Sequence, residues 1–323
     1  GEKETALMKI YAAGIVCWRV EKGEFKVLIV HRGQYQDWGW PKGKQDPGET
    51  LPVTAVRETK EEAGIKVRLG RKLTEIRYDL PKGVSKEVHY WSAKVTDKQL
   101  AKTKFKPNKE IDETRWVTAE EAEALLTYDR DKELLTDVQK LFQQSVLETR
   151  AIIVLRHAEA LPRSEWSKTD GDRPLTKTGE TQAKALVKLL SAFNVRRVVT
   201  SPWKRCLDTV KPFGKKQKLT IIQRSQLSEL GNHKNPAKTT RVVKDSLKEH
   251  KSMILCTHRP ALPTILDTIS DYAKNDKCVE IHEGRTLSPG EMMVIRMSLK
   301  TKKIVSVETY NAPDVAYPNL PVT

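Results

Sequence analysis

The sequence predicts an α/β protein organised as two domains, each a β-sheet with helices packed on it. Three observations predict this. The chain has 323 residues, more than one ordinary core accommodates and enough for two. In the first half, paired strand-like runs flank a helical stretch. In the second half, short β-branched runs alternate with amphipathic helical segments, the pattern of a doubly wound, largely parallel sheet. The expected boundary near 145–150 gives domains over residues 1–147 and 148–323.

The elements follow in order. IYAAGIVCWRV (10–20) and EFKVLIVHR (24–32), joined across Gly23, predict a strand pair. Residues 43–65 switch to helical signals: Pro52 suits a first helical position and Gly64 the residue past the end. GRKLTEIRYDL (70–80) and KEVHYWSAKV (86–95) predict further strands, parted by a turn at Pro81-Lys82-Gly83. TAEEAEALLTY and DRDKELLTDVQKLFQQSVL predict two helices that cover the sheet. Beyond the boundary, apolar runs at 151–155, 195–200 and 252–256 predict buried strands, with helices such as GETQAKALVKLLSAF between them.

Composition narrows the function classes. With 58 Lys+Arg against 42 Asp+Glu the net charge is +16, which favours anionic partners. Aromatics make up only 6%, and no helix-turn-helix, finger or RNP-type signature occurs, so nucleic-acid binding is not expected. No apolar run approaches the roughly 20 residues of a membrane span, so no membrane partner is expected. The opening GEKETALMKI lacks the basic-then-apolar order of a secretory leader, and none is expected. Cys17, Cys206, Cys256 and Cys278 lack CxxC spacing, which disfavours a zinc site or disulfide framework and fits a reducing cytoplasm.

In this basic chain, Glu49, Glu58, Glu61 and Glu62 crowd together. Glu58, Glu61 and Glu62 stand at i, i+3 and i+4, on one helical face, where like charges repel by about 0.2–0.5 kcal/mol per pair. A solvated acidic face is one reading. A divalent cation held by hard carboxylate oxygens is the other.

The surroundings of these glutamates decide between the two. Gly43, Glu49, Arg57, Glu58, Glu61, Glu62, Gly64 and Ile65 fall on the pattern G-x5-E-x7-R-E-U-x-E-E-x-G-U, with Thr59 departing where a bulky apolar residue is usual. Seven fixed residues at roughly one in fifteen each put a chance match on the order of 10⁻⁸ per start position. The first half resembles the Nudix hydrolases, which implies a Nudix α/β/α sandwich. The resemblance implies Glu58, Glu61 and Glu62 as metal ligands, Glu61 among the catalytic groups, and the Lys42 carbonyl as an extra ligand. The ion implied is Mg²⁺, with Mn²⁺ as a substitute. Glu110 or Glu113 is a candidate fourth carboxylate, a solvated acidic turn being the alternative. Arg57 pairs with Glu49 to hold loop and helix in register, and Arg57 and Lys42 are candidate substrate contacts. DWGWPKGK, KEVHYWSAKV and EIDETRW resemble diadenosine polyphosphate hydrolases; Trp38, Trp40, Tyr90 and Trp91 are either base-stacking groups or core, with Trp38 and Tyr90 preferred as substrate contacts.

The second half places Arg156-His157, Ser201 with Arg205, and His258 directly after three predicted strands, where doubly wound sheets bind ligands. Together with LTKTGETQA these residues resemble the histidine phosphatases. That resemblance implies His157 as nucleophile, Arg156, Arg205 and His258 as phosphate partners, Ser201 as a substrate contact, and Glu229 or Glu159 as proton donor. The usual RHG reads RHA, with Ala158 expected to crowd the phosphate. Over nearly the whole chain the order resembles two-domain MutT-type Nudix hydrolases, which implies nucleotide substrates, either oxidised guanine triphosphates or diadenosine polyphosphates, and association between Nudix and phosphatase-like domains. The alternative is a Nudix enzyme whose second domain only binds nucleotide or a neighbouring subunit.

Overall fold

A computed structural model describes residues 8–313, which fall into two compact units divided between Glu148 and Thr149. The first unit is built on β1 (Met8–Glu21), β2 (Glu24–Arg32), β3 (Asp37–Gly39) and β4 (Lys42–Lys44), followed by α1 (Leu51–Ala63). Then come β5 (Ile76–Leu80), β6 (Val84–Lys94), α2 (Asp97–Ala101), β7 (Glu113–Thr118), α3 (Ala119–Leu125) and α4 (Asp129–Gln143). β1 organises the sheet. It pairs in parallel with β6 along one edge, and along the other with β4 over Ala12–Gly14 and with β2 over Trp18–Glu21. The β1–β2 hairpin turns at Lys22 and Gly23, both with positive φ (51° and 80°), a twist that matches the flanking strands.

Pro52 occupies the first turn of α1, where its missing N–H costs nothing. The helix ends at Gly64, in the left-handed region (φ 68°), where a Cβ would stand 2.4 Å from the Lys104 carbonyl oxygen. Only glycine meets both conditions. α1 buries Leu51, Ala55, Thr59 and Ala63, while Glu58 and Glu61 point away from the core. Thr59 is fully buried and its hydroxyl has no hydrogen-bond partner among the described residues.

Two strands differ from expectation. Of 70–80, only β5 is regular; Gly70, Arg71 and Leu73 exchange isolated backbone hydrogen bonds with Tyr90 and Ser92 of β6. β7 was not foreseen: charged Glu113 and Arg115 interrupt its apolar pattern, and tertiary pairing with β2 fixes it instead.

The second unit comprises β8 (Thr149–Arg156), α5 (Lys177–Ser191), β9 (Arg197–Thr200), α6 (Lys204–Gln217), β10 (Ile221–Gln223), α7 (Glu229–Lys234) and α8 (Pro236–Leu247). It continues with β11 (Met253–Thr257), α9 (Leu262–Ser270), α10 (Asn275–His282), β12 (Met292–Ser298) and β13 (Ile304–Tyr310). The strand order is β10-β9-β11-β8-β12-β13, with the first four parallel and β12 antiparallel to both β8 and β13. The sheet is thus largely parallel, as expected, with β12 as its one reversed strand. β9, β11 and β8 are neighbours, so their carboxyl ends open side by side.

Thr59→Val removes a desolvated hydroxyl at nearly constant shape and is expected to stabilise the first unit by about 1 kcal/mol. The check is its thermal unfolding midpoint; an unchanged or lower midpoint would show that the hydroxyl is satisfied.

Candidate functional sites

In the first unit Arg57 is the hub. Its Nε and Nη2 donate to the two Glu49 oxygens at 2.7 and 2.9 Å, and Nη2 also reaches the Lys44 carbonyl at 2.9 Å. Nη1 donates to Glu58 at 2.8 Å and to Glu61 at 3.2 Å. All five guanidinium N–H groups are thereby engaged, so the substrate contact expected of Arg57 is corrected to a bracing role. Burial works to raise the Glu49 carboxyl, but the Arg57 hydrogen bond overrides it and holds the carboxyl below its ordinary range.

The remaining carboxylates are under strain of charge. Glu58 lies against Gly43, where a Cβ would come within 2.0 Å of its carboxyl carbon. Burial, with the charges of Glu61 and Glu110 added, raises Glu58. Glu62 is only 6% exposed and accepts the Lys42 N–H at 2.8 Å. Burial pushes its carboxyl up to about 8, with Glu58 and Glu110 contributing. Glu61, apart from its contact with Arg57, faces solvent. Glu110 therefore belongs electrostatically to this group, whereas Glu113 pairs with Arg115 at the start of β7. This donor set fits a hard dication: its oxygens are carboxylates, and its excess negative charge is what a cation relieves. Alongside it lie the half-buried Lys42 and Lys86, both lowered chiefly by burial and then by neighbouring cations.

The aromatic expectations divide. Trp38 is half-buried, with the His31 ring 4.8 Å away and the Arg115 guanidinium over its face at 4.9 Å. Tyr90, Trp40 and Trp91 are each 1% exposed, so the substrate contact expected of Tyr90 is corrected: it is core. A second acidic group, Glu75, Glu87 and His89, brings its polar atoms within 4.8 Å of one another. Lys9, Lys72 and Arg77 already pair with its carboxylates, and both His89 nitrogens face them, so its charge is spent internally.

In the second unit the sheet brings the predicted histidines together. His157 follows β8 and His258 follows β11, with ring centroids 5.2 Å apart. The His157 Nδ1–H donates to the Ala158 carbonyl at 2.7 Å, which leaves Nε2 as a free lone pair. Burial, with Arg205, Arg156 and Arg173 adding their charge, pushes His157 down to about 3, so the ring stays neutral. His258 is lowered for the same reasons, and its Nε2 lies 2.8 Å from the Ser201 hydroxyl. Ser201 is fully buried and also accepts the Trp203 N–H, so the substrate contact expected of it is corrected to a support for His258. The Ala158 methyl is buried with Leu175 and Ala183, so the expected crowding of the phosphate is corrected: the side chain packs inward.

Arg205 donates to the Asp170 carbonyl at 2.8 Å and reaches Glu229 at 3.3 Å. Glu229 also accepts from Arg163 at 2.7 Å and stands 3.8 Å from the His258 Nδ1. Glu159 instead accepts from Thr176 and is exposed. Arg156 Nε, Arg205 Nε and His258 Nδ1 are buried without a hydrogen-bond partner among the described residues, three nitrogens that an anion can satisfy. Sequence reasoning missed Asp170, Arg163, Arg173 and Trp203. Three of them lie on the irregular 163–173 segment, which no periodicity marks; the SPW triplet before Lys204 was the one available signal.

Comparison with known proteins agrees with this division. The NUDIX domain model matches residues 8–138, and the histidine phosphatase superfamily (branch 1) model matches residues 152–253. An 8-oxo-(d)GTP phosphatase of Mycolicibacterium smegmatis is 32% identical over 274 residues, covering 82% of this chain and 82% of that protein. An asymmetrical bis(5'-nucleosyl)-tetraphosphatase of Caenorhabditis elegans is 37% identical over 95 residues, 28% of this chain and 68% of its own length. A C. elegans Ap4A hydrolase structure matches at 28% identity over 42% of this chain and 98% of that one, with a TM-score of 0.38. Among the described residues no helix is long and apolar enough to cross a membrane. The chain is a hydrolase of the Nudix family, in its two-domain form with a histidine phosphatase domain following the Nudix domain.

Proposed function

We propose that the first unit is a Mg²⁺-dependent hydrolase of nucleoside polyphosphates, acting on oxidised guanine triphosphates to give diphosphates and on diadenosine polyphosphates. We propose further that the second is a phosphatase with His157 as nucleophile. The observation that carries the first part is the carboxylate group braced by Arg57, with Glu62 raised to about 8 and Lys42 and Lys86 beside it. The named relatives supply the substrate classes.

Glu58, Glu61, Glu62 and the Lys42 carbonyl would hold the ion, with Glu110 completing the group. Held there, the ion would supply charge to offset phosphate oxygens and would make a bound water more acidic. Arg57 keeps the carboxylates aligned, Lys42 and Lys86 bind the phosphates not being attacked, and Trp38 forms a rim for the base.

In the second unit the His157 Nε2 lone pair attacks phosphorus, and the bond to the leaving oxygen breaks. Arg156, Arg205 and His258 take up the phosphate charge. Once phosphate occupies Arg205, Glu229 is released to carry the proton given to the leaving oxygen. Water then attacks the phosphohistidine, the P–N bond breaks, and the water's proton returns to Glu229.

Glu61→Gln is expected to abolish cation-dependent hydrolysis while phosphate release by the second unit persists, and His157→Ala to do the reverse. Product analysis across oxidised guanine nucleotides and diadenosine polyphosphates checks both, and turnover indifferent to both changes would remove the proposal. If His157→Ala leaves every turnover intact, the second unit is a binding module.

Gly43→Ala drives a methyl into the Glu58 carboxylate and is expected to weaken Mg²⁺ binding about 10–100-fold, measured by calorimetry. Glu62 keeps its proton to about 8 when folded but loses it near 4.5 when unfolded. Between those values the unfolded state binds fewer protons, so the metal-free protein loses stability as pH rises. Saturating Mg²⁺ is expected to flatten that slope; a metal-free protein with flat stability from pH 5 to about 8 would contradict it.

A further inference from the structure

Trp203 stands where the mechanism leaves something unused. It immediately precedes α6, beside the arginine that meets the phosphate, and its indole is only half-buried. The His258 ring meets it edge-on at 5.0 Å, and the Arg205 guanidinium lies over it at 4.9 Å. Gly171 adjoins the Cδ1–Nε1 edge without a side chain of its own; a Cβ there would stand 3.4 Å from the ring. Two ring-to-ring steps of 5.2 and 5.0 Å lead from His157 through His258 to the indole, a span that a sugar and a phosphate cover.

Charge indicates what else the ligand carries. Arg156, Arg163, Arg173 and Arg205 surround the two histidines, answered by Glu229 and Asp170. The surplus of cations suits an anion with more than one negative charge. An indole with one part apolar and exposed is a surface on which a flat ring can stack. A core role for Trp203 would bury it as Trp40 is buried; it does not.

We propose that Trp203 is the base-recognition surface of the second site, so that this site takes a nucleoside diphosphate, base stacked on the indole and terminal phosphate at His157. The proposal rests on the phosphatase reading of that unit and adds its substrate class. The full chain is assayed in EDTA, which silences the cation-dependent unit, with guanosine diphosphate and with inorganic pyrophosphate, which has the charge but no base. Trp203→Leu is expected to raise KM for guanosine diphosphate about tenfold, the loss of one base–aromatic stack, beyond whatever change its loss of contact with Arg205 and His258 causes for pyrophosphate. Trp203→Phe is expected to restore most of the loss. An unchanged KM for guanosine diphosphate, or an equal loss for both substrates, overturns the proposal. If wild type turns over neither substrate, the phosphatase reading fails by itself. Calorimetric binding of guanosine diphosphate then decides the role of Trp203: a tenfold weaker Kd in Trp203→Leu supports it, and equal affinity overturns it.

Discussion

The carboxylate helix depends on one guanidinium. Arg57 binds Glu49 through two parallel hydrogen bonds and spends its remaining donors on Glu58, Glu61 and a backbone carbonyl. Without that brace, Glu58 and Glu61 would lose the partner that positions them, while Glu62 is held separately by the Lys42 N–H. With it, the loop before α1 is tied to the helix, and negative charge is concentrated where water is scarce. The raised carboxyls of Glu58 and Glu62 are the physical signature of that concentration. An isolated cluster of this kind is unfavourable, and the presence of a cation would relieve it.

The second unit solves the opposite problem. It must hold positive and neutral nitrogens close together without filling the space between them. Buried Arg205 is answered by Glu229 and Asp170, while His157 and His258 avoid a mutual penalty by remaining uncharged. The sheet makes this arrangement economical. Adjacent parallel strands deliver β8, β11 and β9 to one end, so residues far apart in sequence arrive within hydrogen-bonding reach.

Much of this was legible in the sequence, for identifiable reasons. The spacing of Gly43 through Gly64 encodes a loop, a helix and a cap, each with its own steric requirement, so the carboxylates could be placed on one face. His157 and His258 were legible because each follows a run of buried β-branched residues. What was not legible depends on direction and neighbours. Whether Tyr90 faces a ligand or the core is decided by strand parity, which a two-sided buried strand such as β6 hides. Arg57 was legible as the brace to Glu49, but its added substrate role was not decidable, because a sequence does not show how many of its donors are already taken. Ala158 looked obstructive because the motif says nothing about which way its methyl turns. Asp170 and Arg163 lie on an irregular segment and are assigned only by tertiary contact.

The antiparallel entry of β12 has a consequence for His157. Because β12 runs against β8, the turn leading into it reaches the end of the sheet where β8 exits. There the Arg156 N–H donates to the Glu291 carbonyl, and the Gly290 N–H to the His157 carbonyl. The Arg156 side chain is tethered to the Leu287 carbonyl in the same segment. The His157 imidazole is thus anchored from behind by a distant stretch of chain, and the final hairpin is part of its seating. Any shortened form ending ahead of that hairpin keeps the motif's letters and loses its foundation.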